Sequence, residues 1–233
     1  ALRNALETIK GININSETTI KNYIVENDII RTKVEGYVKN FEIPENGIHY
    51  MSDGSIEVEV RIPLSGILTA VPELIFGSAT GRLVCPLCGQ PWPPGKPFPP
   101  EYAQNIQVPT LPTYQGLGKG VVYTGLIIDA RGLGVAPAMA PRIFDEDGKE
   151  IYGSAFVNKE FALKQGMVGY ARDIKKAAKL DRVKDHPAIV KAIKAIGKNK
   201  TDLVISNKDA AKILNAKENL SFIEKCRVVF VVD

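Results

Sequence analysis

The chain has 233 residues, 45% hydrophobic and 24% charged, a balance that excludes wholesale disorder and allows one large domain or two small ones around a real core. Its net charge of +4 is unevenly spread: residues 1–71 hold seven Lys/Arg against ten Asp/Glu, and residues 120–233 hold twenty against fourteen. No apolar run approaches the roughly 18 residues of a membrane-spanning helix, and no aromatic residues interleave with the lysines as a nucleic-acid surface requires, so nucleic acid is set aside as a partner.

In chain order, Leu2, Ala5, Leu6 and Ile9 recur at helical spacing, and Gly11 supplies a stop. The Thr-, Ile- and Val-rich stretch "INSETTIKNYIV" predicts a strand or strand pair. Asn27 or Asp28 then caps a helix with Ile30, Val34, Tyr37 and Phe41 along one face. Ser52-Asp53-Gly54 separates "NFEIPENGIHYM" from "SIEVEVRIPL", where Ile56, Val58, Val60 and Ile62 alternate with Glu57, Glu59 and Arg61. Asp-Gly between alternating runs predicts a hairpin, with one face buried and the other polar.

Between Pro72 and Pro112 the composition changes. Ten of the fifteen prolines fall in these 41 residues, with four charges (Glu73, Arg82, Lys96 and Glu101). Such a run excludes helices and central strands and favours extended backbone. It also carries Leu83, Val84, Leu87, Trp92, Phe98 and Tyr102, more apolar surface than a flexible linker shows, so an ordered insert is expected to pack on its own chain or a neighbour's.

After "GLGKG", the stretch "VVYTGLIIDA" predicts a strand and "PRIFDEDGKEIYG" a second hairpin through Asp147-Gly148. Residues 159–179 read as a helix broken near Gly166 and Gly169, and His186-Pro187 as the start of another that ends at Gly197. "TDLVISN" reads as a strand, "NKDAAKIL" as a helix capped by Asn207, and "CRVVFVVD" as a final strand with a continuous apolar run, a succession that suggests a crossover unit with a partly buried sheet. The expected fold class is α+β: a small N-terminal domain of helices on an antiparallel sheet (1–70), a Pro-rich insert (71–119) and a C-terminal α/β domain with a mixed sheet (120–233).

Chemistry is sparse. Cys85 and Cys88 have the spacing of a zinc knuckle, but a tetrahedral site needs two further ligands, and only Cys226, His49 and His186 remain as soft donors unless two subunits share a metal. A Cys85–Cys88 disulfide stapling the insert is the alternative, and ranks ahead of zinc. Gly89 stands where a haem-attachment motif needs His. "GLGKG" lacks the spacing and the Ser/Thr of a phosphate loop, "DARGLGV" lacks the third glycine of a dinucleotide site, and Asp145, Glu146 and Asp147 read as turn acids rather than a calcium loop. With two histidines and no nucleophile elbow, no catalytic residue is expected. Eleven Lys/Arg against three Asp between Lys164 and Lys200 read as a solvated face, with an anionic lipid or cell-wall partner as the second reading.

"ETIKGININSETTIKNYIVENDIIRTKVEGYVKNFEI" followed by "DGSIEVEVRIPL" resembles the LPP-twenty family of bacterial outer-membrane lipoproteins and the related flagellar proteins FlgP and FlgT. Gly36, Asp53, Gly54, Ile56, Val58 and Val60 carry the shared plan, over about 70 residues. No lipoprotein cysteine stands at the start, and the proline-cysteine insert is not part of the family plan. The resemblance implies an extracytoplasmic location, in the periplasm, at the outer membrane or on the cell surface. Ala1, without a preceding Met, is then expected to follow a removed signal peptide. It also implies a role in envelope or flagellar assembly and no catalytic residue. The function expected is a non-enzymatic structural protein that self-associates into a ring, disk, tube or filament. Trp92, Phe98 and Tyr102 are its expected assembly contacts, and other envelope or flagellar proteins further partners. The alternative is a monomeric module binding cell wall, lipid or a protein. No cofactor is expected beyond the zinc option.

Overall fold

The computed structural model describes residues 2–26, 28–62, 67 and 121–233. The insert expected at 71–119, and with it Cys85, Cys88, Trp92, Phe98 and Tyr102, lies outside the described residues, as does Asn27. The fold class is α+β: helices, a two-stranded antiparallel sheet and a mixed seven-stranded sheet.

Three helices open the chain: α1 (Leu2–Lys10), α2 (Ile20–Glu26) and α3 (Asp28–Val38). Gly11 ends α1 as its spacing predicts, its N–H donating to the carbonyls of Glu7 and Thr8. The strand expected over residues 14–25 gives way to a turn and α2. Asn15 Oδ1 accepts from the N–H groups of Glu17 and Thr18, closing the turn, and Thr19 Oγ1 accepts from Asn22 N at the start of the helix. Ile20, Tyr23 and Ile24 then share one helical face on the core, so capping and helical spacing override the β-propensity of Thr and Ile.

The hairpin forms where Asp-Gly places it. Strand β1 (Ile48–Tyr50) pairs antiparallel with β2 (Ile56–Val58), and Gly54 takes φ of 82° in the turn. Its apolar face is covered only toward the base, where Val58, Val60 and Ile62 are half-buried; toward the tip Ile48, Tyr50 and Ile56 are exposed, contrary to expectation, because the three helices pack on one another and on the larger sheet.

That sheet contains β3 (Gly125–Asp129), β4 (Ile143–Phe144), β5 (Glu150–Tyr152), β6 (Gly169–Ala171), β7 (Pro187–Ile196), β8 (Asp202–Ile205) and β9 (Val228–Val231). Their spatial order is β5-β4-β8-β7-β3-β9-β6. β3 pairs in parallel with β7 and β9, and β9 with β6, whereas β8 runs antiparallel to β7 and parallel to β4. The sheet is mixed, as expected. The final strand-helix-strand stretch, however, joins two strands of opposite direction, with β7 and β3 between them. Around the sheet lie the helices α4 (Lys159–Gln165), α5 (Ile174–Ala177), α6 (Asn207–Leu214) and α7 (Leu220–Glu224).

Two further expectations are corrected. Residues 159–179 do not form one broken helix: β6 separates α4 from α5 and joins the sheet edge beside β9. Residues 187–196 are a ten-residue strand rather than a helix. Ala188, Val190 and Ala192 are buried while Ile189, Lys191 and Ile193 are exposed, a period of two that sheet pairing imposes over the helix preference of Ala and Lys. The cap of α6 is Ser206, one residue before Asn207, its Oγ accepting from Asp209 N at 3.0 Å.

One face of the sheet carries the main core. Leu126, Ile128, Val190, Val228 and Phe230 join Ile213 of α6 and Phe222 of α7 there, and Ile9, Ile20, Ile24 and Val34 of the N-terminal helices belong to the same hydrophobic cluster. On the other face, Ala177 of α5 and Val183 cover Ile127, Val229 and Val231. Gly125 lets this layer approach closely, since a Cβ there would stand 2.6 Å from Val183 Cα.

Residues 13–16 fix the N-terminal helices to the sheet. Met139 N donates to Asn13 O and Ala140 N to Ile14 O, while Asn199 N donates to Ser16 O at 2.9 Å. Arg142 spans the join, donating to both Asp202 Oδ2 and Ser16 Oγ.

Candidate functional site

The hairpin has chemistry on one face and hydrophobic surface on the other. Ile48 lies opposite Val58 and Tyr50 opposite Ile56, so these four side chains share one face, while His49 and Glu57 share the other. Pairing continues below the strands through Glu59 N to Gly47 O and the reciprocal Glu42–Arg61 bridge, and Ile62 at the base packs on the core. At the tip, Asp53 Oδ1 accepts from Ser55 Oγ at 2.6 Å and Ser55 N at 2.9 Å, which holds the Asp53 carboxyl below the usual range. The turn is well made, yet Tyr50 is 79% exposed, Ile56 58% and Ile48 47%. A two-stranded ribbon with an uncovered apolar face is marginal by itself, and such faces mark contact sites.

A second apolar surface lies on the sheet. α5 covers β6, β9 and β3, but Ile189 and Ile193 of β7 are 49% and 47% exposed on either side of Lys191. Asp129, the neighbour of Lys191 in the sheet register, binds Arg131 through two bonds of 2.8 Å, and its carboxyl is held low by that guanidinium.

A cleft of about 640 Å³ opens between the end of α1, residues 137–139 and the segment following α4. Ile12, Met139, Met167, Val168 and Tyr170 give it a largely apolar lining. Tyr170 ties its walls together: the hydroxyl accepts from Ala138 N at 2.9 Å and donates to Ala138 O at 3.0 Å. Burial pushes its phenol up. Behind it Tyr152 donates to Met167 O at 2.6 Å, and Arg182 donates to the carbonyls of Gln165, Gly166, Met167 and Cys226. Those carbonyls include the end of α4, where a cation also meets the negative end of the helix dipole. Burial pushes the Cys226 thiol up to about 11, partly offset by the Tyr152 hydroxyl and Arg182. A thiol so raised is a packing group and not a nucleophile at neutral pH.

The remaining sequence candidates are engaged locally. His186 stacks on Tyr123 with ring centroids 5.5 Å apart, and His49 stands on the polar face of the hairpin. Asp145 Oδ1 accepts from Lys149 N inside the second Asp-Gly turn, and Glu146 exchanges hydrogen bonds with Asn207. These are turn acids. Among the described residues no group of three His, Cys, Asp or Glu is placed to hold a metal. The sequence reading missed the Tyr170–Ala138 tie, the Arg182 site and the exposed face of β7. Only the last had a signal, the alternation within "AIVKAIKAI".

Residues 125–233 match the family model described as Treponema pallidum Tp0624, second domain. The match begins at the first residue of β3 and runs to the end of the chain, so it contains the whole seven-stranded sheet and neither the N-terminal helices nor the hairpin. No curated protein matches the chain.

Proposed function

We infer that this chain is a non-enzymatic structural protein that self-assembles outside the cytoplasm, at the bacterial envelope or cell surface, as the likeness of its first 70 residues to the LPP-twenty and FlgP/FlgT proteins implies. The observation that carries the reading is the apolar face of the hairpin, where Ile48, Tyr50 and Ile56 are exposed beside a half-buried Val58, on a ribbon whose two outer edges are unpaired among the described residues. Exposed strand edges beside apolar surface recruit further chains unless they are blunted. The match of the sheet to a Treponema domain is in keeping with a bacterial protein.

Light scattering and negative-stain microscopy of the purified chain over a range of concentrations test the reading. Rings, disks, tubes or filaments that grow with concentration are expected. A monodisperse monomer at all concentrations refutes assembly. Protease accessibility on intact bacteria tests the location: digestion without lysis, or after opening the outer membrane alone, is expected, and protection until the inner membrane is broken would overturn it.

The apolar cleft favours a second reading, a monomeric envelope module that grips lipid, cell wall or a protein partner. A monomer that binds envelope fragments, and loses that binding when Met139 and Met167 are made polar, would favour it over assembly.

A further inference from the structure

We propose that the hairpin of one copy packs its apolar face onto the face of β7 that presents Ile189 and Ile193 in a second copy, a head-to-tail contact that propagates. This rests on the self-assembly reading and names the surfaces it uses.

Three observations converge. β7 is a ten-residue strand in the interior of the sheet, paired with β3 and β8, yet Ile189 and Ile193 on the face that α5 covers elsewhere are 49% and 47% exposed. The hairpin supplies a matching cover. Ile48, Tyr50 and Ile56 are exposed on one face of the ribbon, with the half-buried Val58 beside them, and sheet faces pack at a spacing of about 10 Å.

Charge selects between this arrangement and hairpin against hairpin. Residues 42–61 carry five acids (Glu42, Glu45, Asp53, Glu57 and Glu59) and one base, Arg61, whereas residues 187–201 carry Lys191, Lys194, Lys198 and Lys200 and no acid. Stacking two hairpins brings two acidic ribbons together. Stacking a hairpin on β7 brings opposite signs within about one Debye length, and the long lysine side chains reach around the edge of the apolar contact. Asp129, opposite Lys191 in the register, hydrogen-bonds Arg131 and feels the Lys191 charge only as a lesser influence.

The two surfaces differ, so the contact does not close on itself as a two-fold dimer does. Each copy keeps a free hairpin at one end and a free β7 face at the other, and repetition yields a ring or an open filament. A ribbon of four apolar side chains falls short of the roughly 800 Å² per partner of a stable pairwise interface. Assembly through it is therefore steeply concentration-dependent.

The test places a benzophenone amino acid at position 50, and in a second variant at position 56, in a mixture of isotopically heavy and light chains. After irradiation of the assembled protein, the expected product joins the probe to peptide 187–196 of a copy of the other isotope. Links to residues 42–61 of another copy, links confined to the same copy, links elsewhere, or none in assembled protein overturn the proposal and leave self-assembly standing. Failure of the unmodified chain to assemble removes the parent reading instead. Ile193→Asp gives an independent check: assembly should shift to at least tenfold higher concentration, and an unchanged threshold overturns the contact.

Discussion

The side chain of Ser16 occupies the space in which a Cβ at position 197 would stand, so Ser16 and Gly197 interlock because one of them has no side chain. Gly197 also holds φ of 84° at the end of β7, and Asn199 two residues on donates its backbone N–H to Ser16 O. The turn between β7 and β8 thus clasps the segment that carries the N-terminal helices.

Replacing Gly197 with Ala should cost about 3 kcal/mol, combining the strain of a positive φ with overpacking against Ser16. Urea denaturation measures it. In the double variant with Ser16→Gly, about 1 kcal/mol or more of the loss should be recovered as coupling. Strict additivity of the two changes would show that the contact is not what Gly197 is for.

Asp202 is buried, and its carboxylate accepts from Arg142 N at 2.9 Å, Nε at 3.0 Å and Nη2 at 2.7 Å. Arg142→Met leaves that carboxylate with the backbone donor but without its cation. The expected loss is about 2 kcal/mol, below the usual cost for a fully buried pair because the guanidinium is partly exposed. A melting temperature unchanged within error would contradict this account.

Stability should fall from about pH 9 upward. In the unfolded chain the Cys226 thiol ionises near 9.0, but in the fold burial holds it protonated up to about 11. Between those values the folded state binds more protons than the unfolded state, so its advantage below pH 9 is lost as pH rises, by up to about 2 kcal/mol. Burial pushes the Tyr152 phenol in the same direction. Denaturation at pH 8.5 and 10.5 should show a smaller loss for Cys226→Ala than for the unmodified chain, and equal losses would exclude Cys226 as a source.

Tyr50→Ser should leave the stability of the dilute monomer unchanged within about 0.5 kcal/mol, because the ring is exposed and touches no core. The same change should weaken assembly. Unfolding curves below the assembly concentration, set beside scattering above it, separate the two effects. A large loss of monomer stability would mean that the ring packs inside its own chain.

The sequence alone settled the elements whose code is local. Asp53-Gly54 and Asp147-Gly148 fix two turns because glycine accepts the positive φ that each needs, and the unbroken apolar run of β9 could only be buried. Tertiary pairing decided the rest. "AIVKAIKAI" suits a helix until β3 and β8 stand on either side of it, and residues 14–25 suit a strand until Thr19 caps a helix that buries Ile20 and Ile24. The clasp of Ser16 by Gly197, the four carbonyls gathered on Arg182 and the uncovered apolar side of the hairpin left no mark on the sequence. Each depends on which distant segments the fold brings together, or fails to bring together, and no local pattern encodes that.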